Sequence, residues 1–136
     1  MRDSPVKAQI ELKVESLVNP SEYSEKVIAA ITNVIDKSYP ELRYGNRVIA
    51  RSIGSAPLRI IYEQIRSRSA MGVLRRMLID NRIADTTWFL LNKQAAYAGI
   101  VALVEDERES PLGPIRVSID CEELDTLIDW LVPMKG

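Results

Sequence analysis

Apolar and charged residues alternate over Ile10–Glu15, with Ile10, Leu12 and Val14 on one side and Glu11, Lys13 and Glu15 on the other. That period of two predicts a strand over 8–18 with one wet face. After Asn19-Pro20-Ser21-Glu22 the period changes. Val27, Ile28, Ile31, Val34 and Ile35 recur at helical spacing, predicting a helix over 21–37 with Asn19 or Ser21 as its cap and Pro40 beyond its end. A strand is expected within 42–53, its inward side left open between Val48/Ala50 and Ile49/Ile53. Gly54-Ser55-Ala56-Pro57 opens the next helix, over 56–66, with Ser55 as cap and a stripe of Leu58, Ile61 and Ile65. The stripe then fails: Leu74, Met77 and Leu78 are rotated by more than ~100° from it at the helical period. The intervening Ser67–Gly72 is poor in helix formers, so a separate helix is expected over 69–80.

The longest apolar runs lie between Trp88 and Ile119. Three strands are expected there, over 85–92, 99–105 and 114–120. Asn92 caps a short helical turn closed by Gly99, and Ser110-Pro111-Leu112-Gly113-Pro114 makes a second defined turn. Asp120 and Glu123 read as a capping box for a last helix over 121–132, with Leu124, Leu127, Ile128 and Leu131 as its stripe. The order predicts one two-layer α+β domain spanning 1–136. It has a mostly antiparallel sheet of about five strands with helices packed on one face. Trp88, Leu90, Ile100 and Ala102 fall on the other face. An apolar centre there needs a cover, which predicts a homodimer through those four residues.

Composition narrows the chemistry. The chain has 136 residues, no histidine and one cysteine, Cys121. Without histidine there is no Ser-His-Asp or Cys-His nucleophile and no mixed His/Cys metal site. No glycine-rich phosphate loop is present. Glu105, Asp106, Glu107 and Glu109 read as a wet loop, and Asp120, Glu122, Glu123 and Asp125 as acids answering a helix dipole. No catalytic residue, metal or cofactor is therefore assigned, and a carboxylate- or metal-dependent enzyme is the least favoured class. No run is long enough to span a membrane, the N-terminus lacks a secretory pattern, and the lone cysteine predicts a reducing, cytoplasmic setting.

Charge is unevenly distributed. Residues 43–82 carry nine basic and two acidic side chains, all nine being arginine, whereas residues 83–136 carry four basic and ten acidic. Arg66, Arg68, Arg75, Arg76 and Arg82 are the candidate contacts to RNA or another polyanion. Three of them are seven apart and would share one helix face. The alternative is that the arginines pair with the acidic C-terminal third, or across an oligomer, in a structural or interaction module without a nucleic-acid role. No row of aromatics accompanies the stripe in sequence, so stacking of single-stranded bases is not expected.

Leu-Asn-Lys-Gln-Ala-Ala-Tyr-Ala-Gly at 91–99 and Ser-Pro-Leu-Gly-Pro-Ile at 110–115 resemble the signature of an archaeal family of uncharacterised proteins, some of them labelled RNA binding. The resemblance is strongest over 88–119 and weak in the arginine-rich middle. It implies a fold similar to large-subunit ribosomal protein five, and an RNA-binding or ribosome-associated, non-enzymatic role. The residues it would put on a functional surface are Asn92, Lys93, Gln94, Tyr97, Pro111 and Gly113.

Overall fold

The computed structural model describes residues 1–134. Its centre is a six-stranded antiparallel sheet in the order β2-β3-β1-β6-β4-β5. The strands are β1 (Glu11–Leu17), β2 (Glu41–Arg43), β3 (Arg47–Ile53), β4 (Thr86–Leu91), β5 (Leu103–Val104) and β6 (Ile115–Asp120). The helices are α1 (Ser24–Val34), α2 (Arg59–Ser67), α3 (Met71–Asp80), α4 (Lys93–Tyr97) and α5 (Leu124–Leu131). The α+β class and the helix-backed antiparallel sheet are as the periodicities predicted.

Register decides which side chains meet the helices. Ala50, Val14, Val117 and Phe89 stand opposite one another across β3, β1, β6 and β4. They are buried in one cluster with Ile31 of α1, Ile65 of α2, Leu78 of α3 and Leu127 of α5. Val48 and Ala50 are the inward residues of β3, while Ile53 is largely exposed, which resolves the side left open by the sequence. Ser69, at a positive φ of 54°, separates α2 from α3 and turns the apolar stripe onto the core.

Four local expectations are corrected. The segment 42–53 is a hairpin, not one strand: Asn46 N–H donates to the Arg43 carbonyl, and Tyr44 and Gly45 take φ of 55° and 76°. Two consecutive left-handed residues match the twist of the flanking strands. The sheet therefore has six strands, where about five were expected. Neither Asn19 nor Ser21 caps α1, which begins at Ser24 without a side-chain cap; Asn19 instead donates its carboxamide to Glu22 and Leu112. Ser55 makes no capping bond either. Glu123 does not reach back to Asp120, because it accepts from Lys7 and Ala8 N–H and ties down the N-terminal segment.

The strand expected over 99–105 shrinks to Leu103–Val104. Its missing ladder is supplied by one side chain. Gln64 donates to the Gly99 carbonyl at 2.8 Å and accepts from Val101 N–H at 2.7 Å. A carboxamide thus stands where a neighbouring peptide group would. Asn92 caps α4 as expected, accepting from Ala95 N–H at 2.8 Å.

Candidate nucleic-acid interface

The side chains pointing away from the helices form an open face. Its cross-strand rows follow from the register. Arg51, Lys13, Ser118 and Trp88 stand in one row across β3, β1, β6 and β4. Ile49, Glu15, Arg116 and Leu90 form the next, and Arg47 and Leu17 lie beyond. Glu11 and Asp120 face each other at the opposite end of the strands. Neighbouring strands lie ~4.8 Å apart, so each row presents side chains at closely regular spacing.

The charges on this face differ in how far they are satisfied. Lys13 and Arg47 both pair with Glu15, at 3.0 and 3.1 Å. Arg43 pairs with Glu41. Arg51 and Arg116 make no ion pair among the described residues. The Arg116 guanidinium instead lies 4.3 Å from the ring centroid of the part-buried Trp88, a cation–π contact. Lys37, at the rim, is exposed and makes no ion pair among the described residues either.

Two concavities cut this face. One, of about 710 Å³, is lined among others by Lys13, Lys37, Tyr39, Arg51, Ile53 and Ser118. The other, of about 330 Å³, is lined by Tyr39, Glu41, Arg43, Tyr44, Ile49 and Arg51. They share Tyr39 and Arg51, so they run into each other at the β2–β3 corner.

The five arginines of 66–82 are placed differently. Arg68 precedes α3 and Arg82 follows it, so the interval of seven does not generate one helical face. Arg66, Arg75 and Arg76 line one concavity of about 620 Å³ beside the start of α3; Arg68 and Arg82 do not. Arg66 stacks on Tyr62 at 3.3 Å and donates to the carbonyls of Trp130 and Leu131 at the end of α5. Arg75 donates to Asp129 at 2.8 Å and to the Val132 carbonyl at 2.9 Å. Arg76 pairs with Glu105, and Arg82 with Asp125. All four of these arginines therefore reach the C-terminal third of the chain. Arg68 is exposed and makes no ion pair among the described residues.

The six signature residues divide between interior and surface. Lys93 is only 4% exposed, and its ammonium donates to the carbonyls of Leu17 and Leu112 at 2.8 and 2.7 Å and to Glu22 at 2.9 Å. Burial pushes the Glu22 carboxyl up, but hydrogen bonds from Asn19 and Lys93 outweigh it and hold the group below its usual range. Gly113, at φ 83°, closes the turn in which Ser110 Oγ donates to the Gly113 carbonyl. Asn92 is the cap of α4. Gln94, Tyr97 and Pro111 are exposed, and Tyr97 shares an apolar cleft of about 290 Å³ with Tyr23 and Lys26.

The acidic loop is internally bound as well. Arg108 engages Asp106 through its side chain and its N–H, holding that carboxyl down to about 2. Among the described residues no group of three Cys, Asp or Glu side chains is placed to hold a metal ion. No described helix is long and apolar enough to cross a membrane.

Tyr39, Tyr44, Lys37, Lys13 and Arg51 were not picked out as a site from the sequence, where 37–51 reads as a helix end and a strand. The available signal was Tyr44-Gly45-Asn46, a hairpin turn that folds Tyr39 and Tyr44 toward the same corner.

Fold and surface together define a helix-backed antiparallel α+β protein with one open, arginine- and lysine-bearing sheet face. A family model described as RNA binding matches residues 11–121. The UPF0201 protein of Sulfurisphaera tokodaii is 38% identical over 123 residues, covering 88% of this chain and 85% of the relative. That of Thermococcus kodakarensis is 35% identical over 126 residues, covering 90% and 89%. The crystal structure of the UPF0201 protein from Methanococcus jannaschii aligns with a TM-score of 0.78 at 27% identity, covering 93% of this chain and 95% of that one. The chain belongs to this archaeal UPF0201 family.

Proposed function

We propose that the protein is a non-enzymatic, cytoplasmic RNA-binding protein whose phosphate contacts are made on the open sheet face. The observation that carries this reading is the contrast in arginine partners. Arg66, Arg75, Arg76 and Arg82 are engaged by the chain's own C-terminal third, while Arg51 and Arg116 stand on an uncovered face without an acidic partner among the described residues. The family description supports RNA as the polyanion. Trp88, stacked against Arg116, gives the same face an aromatic group beside its cations. An overall net charge of −1 does not oppose the reading, because ten of the acids lie in residues 83–136, and on the face itself Glu15 and Glu41 are taken up by Lys13, Arg47 and Arg43 while Arg51 and Arg116 stay unpaired among the described residues.

A second reading keeps phosphate contact on Arg66, Arg68, Arg75, Arg76 and Arg82, and the free guanidinium of Arg68 favours it. A third is a homodimer through the open face. For that contact only Trp88 is a part-buried strand residue of the face; Ile100 and Ala102 lie outside the strands, and Leu90 is 2% exposed and already covered within the chain.

The test is RNA titration followed by tryptophan fluorescence. Trp130 is buried against Tyr62, with ring centroids 5.0 Å apart, so a face-bound RNA should quench Trp88 and leave Trp130 unchanged. Trp88→Phe should abolish the quench. Salt-dependent binding without any Trp88 response would move the site off this face.

A further inference from the structure

The corner of the open face between β2 and β3 carries a feature that phosphate contact alone does not require. Tyr39 and Tyr44 are 84% and 87% exposed, and neither hydroxyl makes a hydrogen bond among the described residues. Aromatic rings left this far in water are an unfilled contact surface. Both border the same concavity, which is also lined by Arg51 and by Arg43 in its pair with Glu41.

Their positions are fixed by the backbone on either side. Tyr44 occupies a left-handed position at the hairpin tip, held by the Asn46-to-Arg43 hydrogen bond and by Val18 N–H donating to the Asn46 carbonyl. Tyr39 lies in the connection after α1. Upstream of it Asp36 accepts from Arg59 Nε at 2.8 Å, and its N–H donates to the Pro57 carbonyl at 3.1 Å. Ser38 donates to the Ile35 carbonyl. The two rings are thus presented by anchored turns, so little ordering is needed when a ligand arrives.

We infer that Tyr39 and Tyr44 form a base-stacking platform, with Arg51 and Lys37 taking the adjoining phosphates, and that the site therefore selects single-stranded RNA over duplex. The inference rests on the RNA-binding reading above and adds the class of RNA to it. Duplex RNA keeps its base faces inside the stack and offers phosphates and 2′-hydroxyls, which need no aromatic partner. Unpaired bases offer π-faces that any exposed tyrosine can take without regard to sequence. The second concavity continues from Tyr39 and Arg51 toward Lys13 and Ser118, extending a strand's path to the row that ends at Trp88.

The experiment measures fluorescence anisotropy of an unstructured RNA of about twelve nucleotides, within the usual span of single-strand sites, and of a hairpin duplex of matched composition. Wild type is compared with Tyr39→Leu/Tyr44→Leu and with Tyr39→Phe/Tyr44→Phe. Wild type should favour the single strand. The leucine pair should lose about tenfold in single-strand affinity for each stacked base, with duplex binding unchanged. The phenylalanine pair should stay close to wild type, since the ring and not the hydroxyl makes the contact. Equal wild-type affinities for the two RNAs, or a leucine pair that still binds the single strand as wild type does, would overturn the inference and leave RNA binding standing. A change in oligomeric state with unchanged RNA affinity would assign the tyrosines to a protein contact and overturn it also. If wild type binds neither RNA at low salt, the RNA-binding reading itself fails.

Discussion

The Lys93 ammonium lies 2.9 Å from the Glu22 carboxylate, and their side chains are only 4% and 11% exposed. The same ammonium also holds the last carbonyl of β1 and the Leu112 carbonyl in the turn before β6. One buried cation therefore joins the end of β1, the entry to α1, the start of α4 and the 110–114 turn. The two signature turns belong to a single polar knot at the ends of the central strands β1 and β6.

Removing one member of that knot should be costly. Lys93→Met would leave the buried Glu22 charge without its cation, although Asn19 would still donate to Glu22 and to the Leu112 carbonyl. Breaking a buried pair in this way costs ~3–5 kcal/mol. Denaturant unfolding should show that loss, and adding Glu22→Gln to Lys93→Met should recover part of it.

Acid should weaken the fold through the same carboxylate. The folded value for Glu22 lies below its ordinary 4.5. The Glu123 carboxyl is lowered in the same direction by the N–H groups of Ala8 and Lys7. A lowered carboxyl contributes stability that is fully present above its unfolded value and is lost as pH falls through its folded value. The melting temperature should hold from neutral pH down to about 5 and decline below it. Glu22→Gln should flatten that decline. A Glu22→Gln protein with the wild-type pH profile would count against this assignment.

Gln64 should matter more than an exposed helical glutamine normally does. Its carboxamide completes the backbone pairing of Gly99 and Val101. Gln64→Leu would leave both groups unpaired at a cost of ~1–3 kcal/mol each where they are shielded from water. Amide hydrogen exchange at Val101 should accelerate in the variant, while β1 amides keep their protection.

The fold was legible because each buried stripe has one clear period. Leu12 and Val14 alternate with charged residues, and Ile61 and Ile65 repeat at helical spacing. The switch of stripe between Ile65 and Leu74 placed the break that Ser69 makes. What was not legible depends on partners far along the chain. Glu123 looks like a capping residue locally, yet its oxygen goes to Lys7 and Ala8. Asn19 looks like a helix cap, yet it is held by Glu22 and Leu112.

The candidate site followed the same rule. Interval counting put Arg68, Arg75 and Arg82 on one helical face, but α3 stops at Asp80. No local pattern reveals that Arg75 reaches Asp129 or that Arg51 finds no acid. Lys93 was picked out through the signature. Its burial is invisible from sequence because its oxygen partners, on Leu17, Glu22 and Leu112, all come from other segments.

The role of Arg75 separates structural from binding arginines. Arg75→Gln should cost about 1 kcal/mol, because the exposed Asp129 partner is screened by solvent, by releasing Asp129 and the Val132 carbonyl at the end of α5. Its RNA affinity should match wild type. Arg51→Gln should do the reverse, leaving the unfolding midpoint unchanged and weakening RNA.

The most direct measurement compares the salt dependence of RNA binding for two triple variants. One is Lys13→Gln/Arg51→Gln/Arg116→Gln on the sheet face, and the other Arg68→Gln/Arg76→Gln/Arg82→Gln on the helical side. For every single-strand phosphate that is no longer neutralised, the slope of log affinity against log salt should shrink by about 0.7. The sheet-face variant is predicted to lose a slope of about 2 with its fold intact, and the helical variant to keep the wild-type slope. A helical variant that loses the slope while the sheet-face variant retains it, or a wild type with no salt-dependent binding, would contradict the account.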